Sequence, residues 1–565
     1  MSESAALEQV ATPRELLASA PLLAGAEDGT IDELAQHVRP VRVHAGELVI
    51  REGEDADRLY IVRTGRLRVL VEREDGPRAV RELGPGAAIG ELALLTGSAR
   101  SATVQAIRDS ELLELDAAVF NDVLAHDRGF AVSVARTLAV QLQASGELMP
   151  PPVRPSVLAV GAIDPSVDVA TLADGLVAAL AKLGSVAGLG RDDADGHELE
   201  VLDRAEREHD FVVLVDAGGD GRWSAFCARQ ADRHVVLVGS GDERDPDGAP
   251  ADADLVVAAP LPREELSALL EQLAPRSHHL LDAGRSGASL DRVARRLVGR
   301  ALGVVLSGGG ARGYAHIGAV EALEENGFAI DRIGGCSMGA FIGAMHAAGL
   351  DADEMRDRCR AELVRRSPFN DYTLPRVSLI RSRKAGRMLD RVFGDTIVEE
   401  LPVSFFTVSA DLLASRTVVH RRGPLVEAVG ASMSIPGLVP PLSRPGRLLV
   451  DGGVLNNLPV DVMFADDEGP IVAVDVIRRV EEAQGSASPP LPSIMETLSR
   501  ATVLGSVERA ERNRRLADLV ITPEVQDVAL REFSALERAS ARGYEAMCEG
   551  LEAGGADRLR GLLSA

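Results

Sequence analysis

Aromatic residues are scarce, 3% of 565 positions with a single tryptophan, so the cores of this chain must be built from aliphatic side chains, for which a hydrophobic content of 46% is ample. Cysteine is scarcer still. Cys227, Cys336, Cys359 and Cys548 have neither metal-site spacing nor the density of a disulfide framework, which suits a reducing compartment. No run of about 18 apolar residues exists, and the best candidate, residues 176–189, is broken by Lys182. Residues 1–8 lack the basic and apolar regions of a secretory signal. The expected location is cytoplasmic, with peripheral membrane contact left open. Positive charge is in deficit: 61 Lys and Arg face 86 Asp and Glu, and the net charge of −25 argues against a nucleic-acid partner. No G-x-x-x-x-G-K-[ST] follows an apolar strand, so nucleotide hydrolysis has no support. At ~100–200 residues per domain the length predicts three or four domains.

What is present centres on Gly335-Cys336-Ser337-Met338-Gly339, a serine between two glycines where an apolar stretch gives way to a helical one. A strand-to-helix turn this tight needs small flanking residues and leaves the hydroxyl exposed for attack. Upstream, Val304-Val305-Leu306 runs into Ser307-Gly308-Gly309-Gly310-Ala311-Arg312-Gly313 and then a predicted helix over residues 314–326. Backbone N–H groups of such a loop at a helix N-terminus point outward and hold an oxyanion. Gly308, Gly309, Gly310, Arg312 and Gly313 are therefore the candidate oxyanion loop, with Arg312 orienting or capping it. Downstream, Leu448-Leu449-Val450 leads into Asp451-Gly452-Gly453, a carboxylate at a predicted strand end.

A serine hydroxyl needs a base. The order Ser, acid, His is impossible with Asp451 as the acid, because no histidine follows His420. His346 lies nine residues past Ser337, on the far side of the same predicted helix, and His316 reads as a packing or hydrogen-bonding residue. A Ser337/Asp451 dyad is the economical reading, without metal or catalytic cofactor. The competing reading is a dinucleotide-binding turn, since Gly308, Gly310 and Gly313 spell G-x-G-x-x-G and Asp331 follows at nearly the expected distance. It explains neither the serine elbow nor the aspartate turn.

The loop at 308–313, the elbow at Ser337, Ala431-Ser432-Met433-Ser434-Ile435-Pro436-Gly437 and Asp451-Gly452-Gly453-Val454-Leu455-Asn456-Asn457-Leu458-Pro459 together resemble patatin-like phospholipases of the neuropathy target esterase branch, over roughly residues 300–480. The resemblance implies a patatin-type three-layer α/β catalytic domain in which Ser337 and Asp451 hydrolyse acyl esters of phospholipids or lysophospholipids. Asn456 and Asn457 are expected to hold the turn around Asp451 by side-chain to backbone bonds.

A second site is expected near the start. Segments 58–62 and 66–70, separated by Thr64-Gly65, alternate like short antiparallel strands, and after them come Gly90-Glu91 and, nine residues past the glutamate, Arg100-Ser101. Arginine engages a phosphate bidentately, and glutamate accepts from a ribose hydroxyl. The stretch resembles the phosphate-binding cassette of cyclic-nucleotide-binding domains. That resemblance carries Glu91 to the ribose and Arg100 to the cyclic phosphate. Ala99 departs from the proline of kinase cassettes and Ser101 leaves the base open, with cyclic AMP preferred to cyclic GMP as the regulatory ligand. The alternative is a docking module, and for the whole chain a nucleotide-sensing scaffold with a silent esterase half.

The expected organisation is a β-roll cyclic-nucleotide-binding domain over 15–143, a proline-rich linker over 144–155, a small Rossmann-like α/β connecting domain over 156–283, the catalytic core over 300–480, and C-terminal helices over 481–565. Phe211-Val212-Val213-Leu214-Val215 and His234-Val235-Val236-Leu237-Val238 read as buried parallel strands, His278-His279 as exposed loop, and residues 485–492 as loop. Residues 355–387 hold ten Arg or Lys against three acids, a stretch suited either to a solvated, ion-paired face or to an anionic membrane. Oligomeric state is left open.

Overall fold

The computed structural model describes residues 12–135 apart from 74–75, residues 156–477 apart from 195–196, 220, 242, 251, 283–285 and 375, and residues 497–564 apart from 499–500 and 503. The linker expected at 144–155 and the loop expected at 485–492 lie outside the described residues. The chain forms two compact units, Met1–Val256 with Gln272–Ser277, and Val257–Glu271 with His278–Ala565.

The first unit begins with two four-stranded antiparallel sheets. Strands Arg39–Val43, Ser110–Asp116, Arg58–Thr64 and Ala88–Ile89 lie side by side in one; Leu48–Ile50, Thr103–Ala106, Leu67–Arg73 and Gly76–Leu83 in the other. Small aliphatic side chains, among them Val43, Ile50, Val62, Leu67, Val104 and Leu112, fill the space between them. Helices Pro13–Ser19, Asp28–His37 and Ala117–His126 cover the outer face around Leu59, Ile61, Leu113 and Leu115. Segments 58–62 and 66–70 are strands, as their alternation predicts, but they do not pair with each other. Gly65, at φ +94°, carries the chain from one sheet to the other.

After the roll, strands Val186–Leu189, Phe211–Val215, Val157–Ala162 and Arg233–Val238 pair in parallel, with Asp254–Val257 and Ser277–Leu280 beyond them. Their near-continuous apolar runs suit strands covered on both faces. The roll is tied to this segment by charge. Asp232, whose side chain is buried, lies 3.4 Å from both Arg66 and Arg108 of the roll, and Arg108 also bonds Glu206 at 2.8 Å. His278-His279 corrects the loop expectation. Both lie in strand Ser277–Leu280; His279 is buried against Arg296, and His278 bonds the Glu399 carbonyl at 3.0 Å. Burial by partners distant in the chain, not local polarity, decides their place.

The second unit is built on an eight-stranded sheet. Ser404–Asp411, Arg332–Gly335, Gly303–Leu306, Ile471–Val474 and Leu519–Ile521 run parallel at its centre and one side; Arg447–Asp451, Leu442–Arg444 and Arg416–His420 are added antiparallel. Alternate residues serve opposite faces, as the pleat requires. Val304, Leu306, Ile333, Val472 and Val474 join a core with helices Ala315–Glu325, Met338–Ala347 and Leu536–Gly550, whereas Val305, Phe406, Val408, Ile471 and Ala473 join Leu458, Val460 and Met463 on the other face. The result is a three-layer α/β fold. Among the described residues no helix is long and apolar enough to cross a membrane.

Candidate active site

Two adjacent parallel strands deliver the serine and the glycine loop, and an antiparallel strand delivers the acid. Strand Arg332–Gly335 ends at Cys336-Ser337 and helix Met338–Ala347 follows at once. Ser337 has φ +53° and ψ −118°, a conformation costly for a residue with a side chain, of order 1–3 kcal/mol, and stored strain of this kind clusters at functional turns. Gly335 and Gly339 make the turn feasible, because a Cβ on either would run into the carbonyl of Leu306 in the neighbouring strand. The Ser337 amide donates to Ser432 Oγ at 2.9 Å, so the motif at 431–437 braces the elbow. Its next polar residue does the same for the acid: Asp451 N–H donates to the Ser434 carbonyl at 2.8 Å.

Asp451 is the last residue of strand Arg447–Asp451 and is paired in register with Ser409. Ser337 Oγ donates to Asp451 Oδ2 at 2.7 Å, while Oδ1 accepts from Gly453 N–H at 2.8 Å and faces Cys336 Sγ at 3.6 Å. Burial raises the Asp451 carboxyl to about 6, against the bonds from Ser337, Gly453 and Cys336 that favour its charge. The same burial pushes the Cys336 thiol well up, so it stays a neutral neighbour. Cys336 is thus more than the small elbow filler its sequence position suggests.

Strand Gly303–Leu306 leads into the glycine loop beside Ser337. Its five residues do different things. Gly308 N–H donates to the Asn457 carbonyl at 3.2 Å, and Asn457 Nδ2 donates back to the Gly308 carbonyl at 3.2 Å, so the Gly308 amide is occupied. Among the described residues no acceptor engages the amides of Gly309 or Gly310. Arg312, which also lines the cavity, ties the loop to the C-terminal segment through the carbonyls of Val528 and Gln526 at 2.8 and 3.0 Å. Gly313 is a packing position, where a Cβ would strike Met338. The expectation for the two asparagines is corrected: Asn457 holds the glycine loop, and the Asn456 side chain bonds Asp461 and Asn513 rather than the turn at Asp451.

Histidine is not at this centre. His316 Nε2 donates to the Ser307 carbonyl at 2.8 Å, and burial lowers it to about 4; His346 is likewise lowered to about 4 with neither ring nitrogen bonded among the described residues. The dinucleotide alternative loses its acid as well, since Asp331 is buried and held by Arg295 at 2.8 and 2.6 Å. Above Ser337 and Asp451 opens a cavity of about 500 Å³ whose walls include Met433, Ile435, Leu438, Val439, Leu504 and Phe533. That volume lies within the ~300–1,000 Å³ of small-molecule sites.

Residues 304–464 match the patatin-like phospholipase family, and residues 40–127 match the cyclic nucleotide-binding domain family. An uncharacterized NTE family protein of Mycobacterium tuberculosis is 36% identical over 96% of this chain and 96% of its own length. The chain belongs to the NTE family. Lysophospholipases of the same family name from Aspergillus fumigatus and Cryptococcus neoformans are 28% and 31% identical over 89% and 77% of this chain, which spans 41% and 32% of their length. This NTE family protein therefore joins a patatin-like phospholipase domain, a lipid-ester hydrolase, to a cyclic nucleotide-binding domain.

In that second domain helix Glu91–Thr96 starts at Gly90, and both Glu91 and Arg100 are buried. Arg100 reaches two carbonyls, Gly90 at 3.0 Å and Arg58 at 2.6 Å, and among the described residues no carboxylate pairs with it. Gly90 has φ +92°, and a side chain there would occupy the space of the Arg100 guanidinium. Ser101 is exposed beside it.

Proposed function

We propose that this protein hydrolyses acyl esters of phospholipids or lysophospholipids with a Ser337/Asp451 dyad, and that a cyclic nucleotide at Arg100 regulates it. The observation that carries the catalytic reading is the 2.7 Å bond from Ser337 Oγ to Asp451 Oδ2 at the floor of an apolar cavity. In this mechanism Asp451 accepts the Ser337 proton as Oγ attacks the ester carbonyl carbon. The amides of Gly309 and Gly310, which no acceptor engages among the described residues, receive the tetrahedral oxyanion. The intermediate collapses as Asp451 returns the proton to the leaving alcohol, giving an acyl-serine. Water, deprotonated by Asp451, attacks the acyl-serine, and Asp451 returns that proton to Ser337 Oγ as the acyl–oxygen bond breaks and the fatty acid leaves. No step calls for a metal or other catalytic cofactor. The lysophospholipase names of the fungal relatives support the substrate class.

The regulatory reading rests on Arg100. A buried guanidinium satisfied by carbonyl dipoles but not by a counter-charge favours an anion, and a cyclic phosphate supplies one in the planar form that arginine grips twice. Glu91 takes the ribose hydroxyl in this reading, and cyclic AMP is the preferred ligand. The Asp232 cluster with Arg66 and Arg108 makes the connecting α/β segment the first element to feel a change in the roll.

Fatty-acid release from a lysophosphatidylcholine by the wild-type protein and by Ser337→Ala, each with and without cyclic AMP, tests both parts. Release abolished in the variant and altered by nucleotide in the wild type is expected. Equal release by both proteins would remove the dyad, and a flat nucleotide titration would remove the regulation alone.

A further inference from the structure

The ten cations of residues 355–387 divide in two. In the first half three of five are paired, Arg356 with Glu321 and Asp353, Arg360 with Asp357 and Glu537, and Arg366 with Glu362, while Arg358 bonds the Arg391 carbonyl and Arg365 is exposed without a carboxylate among the described residues. In the second half Arg376, Arg381, Arg383, Lys384 and Arg387 are all exposed, and among the described residues none pairs with a carboxylate, although Asp371 and Asp390 lie nearby in sequence. The same half exposes apolar side chains: Tyr372 is 60% exposed, Val377 69% and Leu374 84%. A single exposed leucine is ordinary, but this group is held out by a built loop.

The loop is closed at its base. Thr373 N–H donates to the Leu379 carbonyl at 3.0 Å and Arg381 N–H to the Asp371 carbonyl at 2.9 Å. It is then docked on the cavity wall, where the amides of Leu379 and Ile380 bond the carbonyls of Gly437 and Leu438 at 2.9 and 3.1 Å, and Ile380 packs with Leu438 and Val439. Phe369, just before the loop, lines the cavity and stacks on Phe533, and Arg531 bonds the Tyr372 hydroxyl at 3.3 Å. The exposed apolar tip is therefore rigidly attached to the cavity mouth. The same unit exposes other apolar side chains. Leu412 and Leu413, 47% and 66% exposed, follow strand Ser404–Asp411, which runs parallel to the strand ending at Ser337; Leu504, 70% exposed, is itself part of the cavity lining.

We infer that the described residues of the loop at 371–382, with the start of helix Arg383–Phe393, form a docking surface for an anionic lipid bilayer, with Leu374 and Val377 entering the acyl region and Arg376, Arg381, Arg383, Lys384 and Arg387 meeting the head groups. The occupant follows from the chemistry. Apolar tips beside cations that no carboxylate pairs among the described residues match a bilayer whose interior is apolar and whose surface is negative. In a chain of net charge −25 such a surface repels most other faces, so the patch also sets the orientation. In that orientation the mouth over Ser337 faces the lipid, and a phospholipid reaches the cavity without crossing water. The inference deepens the lipid-hydrolase reading and rests on it for its purpose, not for its test.

The test is sedimentation of the full chain with phosphatidylcholine vesicles made with and without phosphatidylglycerol, in parallel with hydrolysis of a water-soluble short-chain ester. Wild-type protein is expected to bind the anionic vesicles roughly tenfold more tightly, and the difference shrinks as salt rises. Leu374→Ser with Val377→Ser should weaken vesicle binding about tenfold, by loss of buried apolar area. Independently, Arg381→Gln, Arg383→Gln and Lys384→Gln together should erase the anionic preference. Both variants should keep wild-type turnover of the soluble ester, which also verifies their fold. Equal wild-type binding to both vesicle types overturns the inference, as does wild-type binding by either variant. Self-association of the wild type that Leu374→Ser with Val377→Ser abolishes would assign the patch to a second copy and overturn it too. Vesicle binding that behaves as expected while the soluble ester is untouched by wild-type protein would instead count against the dyad and leave the surface standing.

Discussion

The chain has two buried polar centres, one at Ser337 and one at Arg100, and they are finished to different degrees. At Ser337 the polar groups are answered within the protein: the hydroxyl by Asp451, the amide by Ser432, and the second carboxylate oxygen by Gly453. What is left over among the described residues is a pair of amides at Gly309 and Gly310, which in the proposed mechanism meet an anion formed only during reaction. At Arg100 the leftover is a full charge, held by two carbonyls and matched by no carboxylate among the described residues. A preorganised dipole pair costs little at rest and acts on a transition state. A buried unmatched charge costs something at rest and is relieved by a bound ligand. The contrast suits a catalyst on one side and a sensor on the other.

The sharpest way to break the comparison is at the acid. Asp451→Asn removes the base yet keeps the size and the Gly453 contact, so kcat on a lysophospholipid should drop roughly 10³-fold while the fold, read by circular dichroism, is unchanged. Turnover near wild type would mean another group takes the Ser337 proton. The next largest effect belongs to the other centre. Arg100→Ala deletes two charge-assisted bonds to the phosphate, and titration calorimetry should report roughly 10²-fold weaker binding of cyclic AMP, with hydrolysis in the absence of nucleotide unmoved. No heat from cyclic AMP or cyclic GMP with the wild type would turn the roll into a docking module and end the comparison.

These two centres were legible in the sequence to different depths, for a physical reason. The elbow, the glycine loop and the Asp451 turn are local, since chemistry and tight backbone turns force small residues into short fixed spacings. Strands and helices around them followed from periodicity in the same way, so Phe211–Val215 and the helix after the loop stand within a residue or so of where alternation and apolar spacing put them. Partner choice is non-local and was not legible. Ser432 caps the Ser337 amide across 95 residues, Asn457 holds Gly308 across 149, and Asp331 is spent on Arg295, none of which leaves a local mark. His278-His279 looked polar enough for a loop because the Glu399 carbonyl and Arg296 that satisfy it come from elsewhere in the chain. The split in the basic stretch is partly local: Asp353, Asp357 and Glu362 lie three or four residues from Arg356, Arg360 and Arg366, and only the added pairs to Glu321 and Glu537 come from far away in sequence.

The smallest effect is the most diagnostic of which group is the base. Burial holds the Asp451 carboxyl at about 6, whereas His316 and His346 sit at about 4. Only ionised Asp451 can accept the Ser337 proton, so kcat/KM should be flat above about pH 6 and fall tenfold per unit below it. The fold does not confuse this reading. A carboxyl whose native value is raised above its unfolded one binds more protons when folded across the window between about 4 and 6, so on its account stability increases as the pH falls through that window. Activity should therefore disappear reversibly, with the thermal midpoint held or rising, and return when the pH is restored. A limb displaced to about 4 would transfer the base role to a buried neutral imidazole, and the comparison between a carboxylate-driven catalyst and an arginine-driven sensor would have to be redrawn around it.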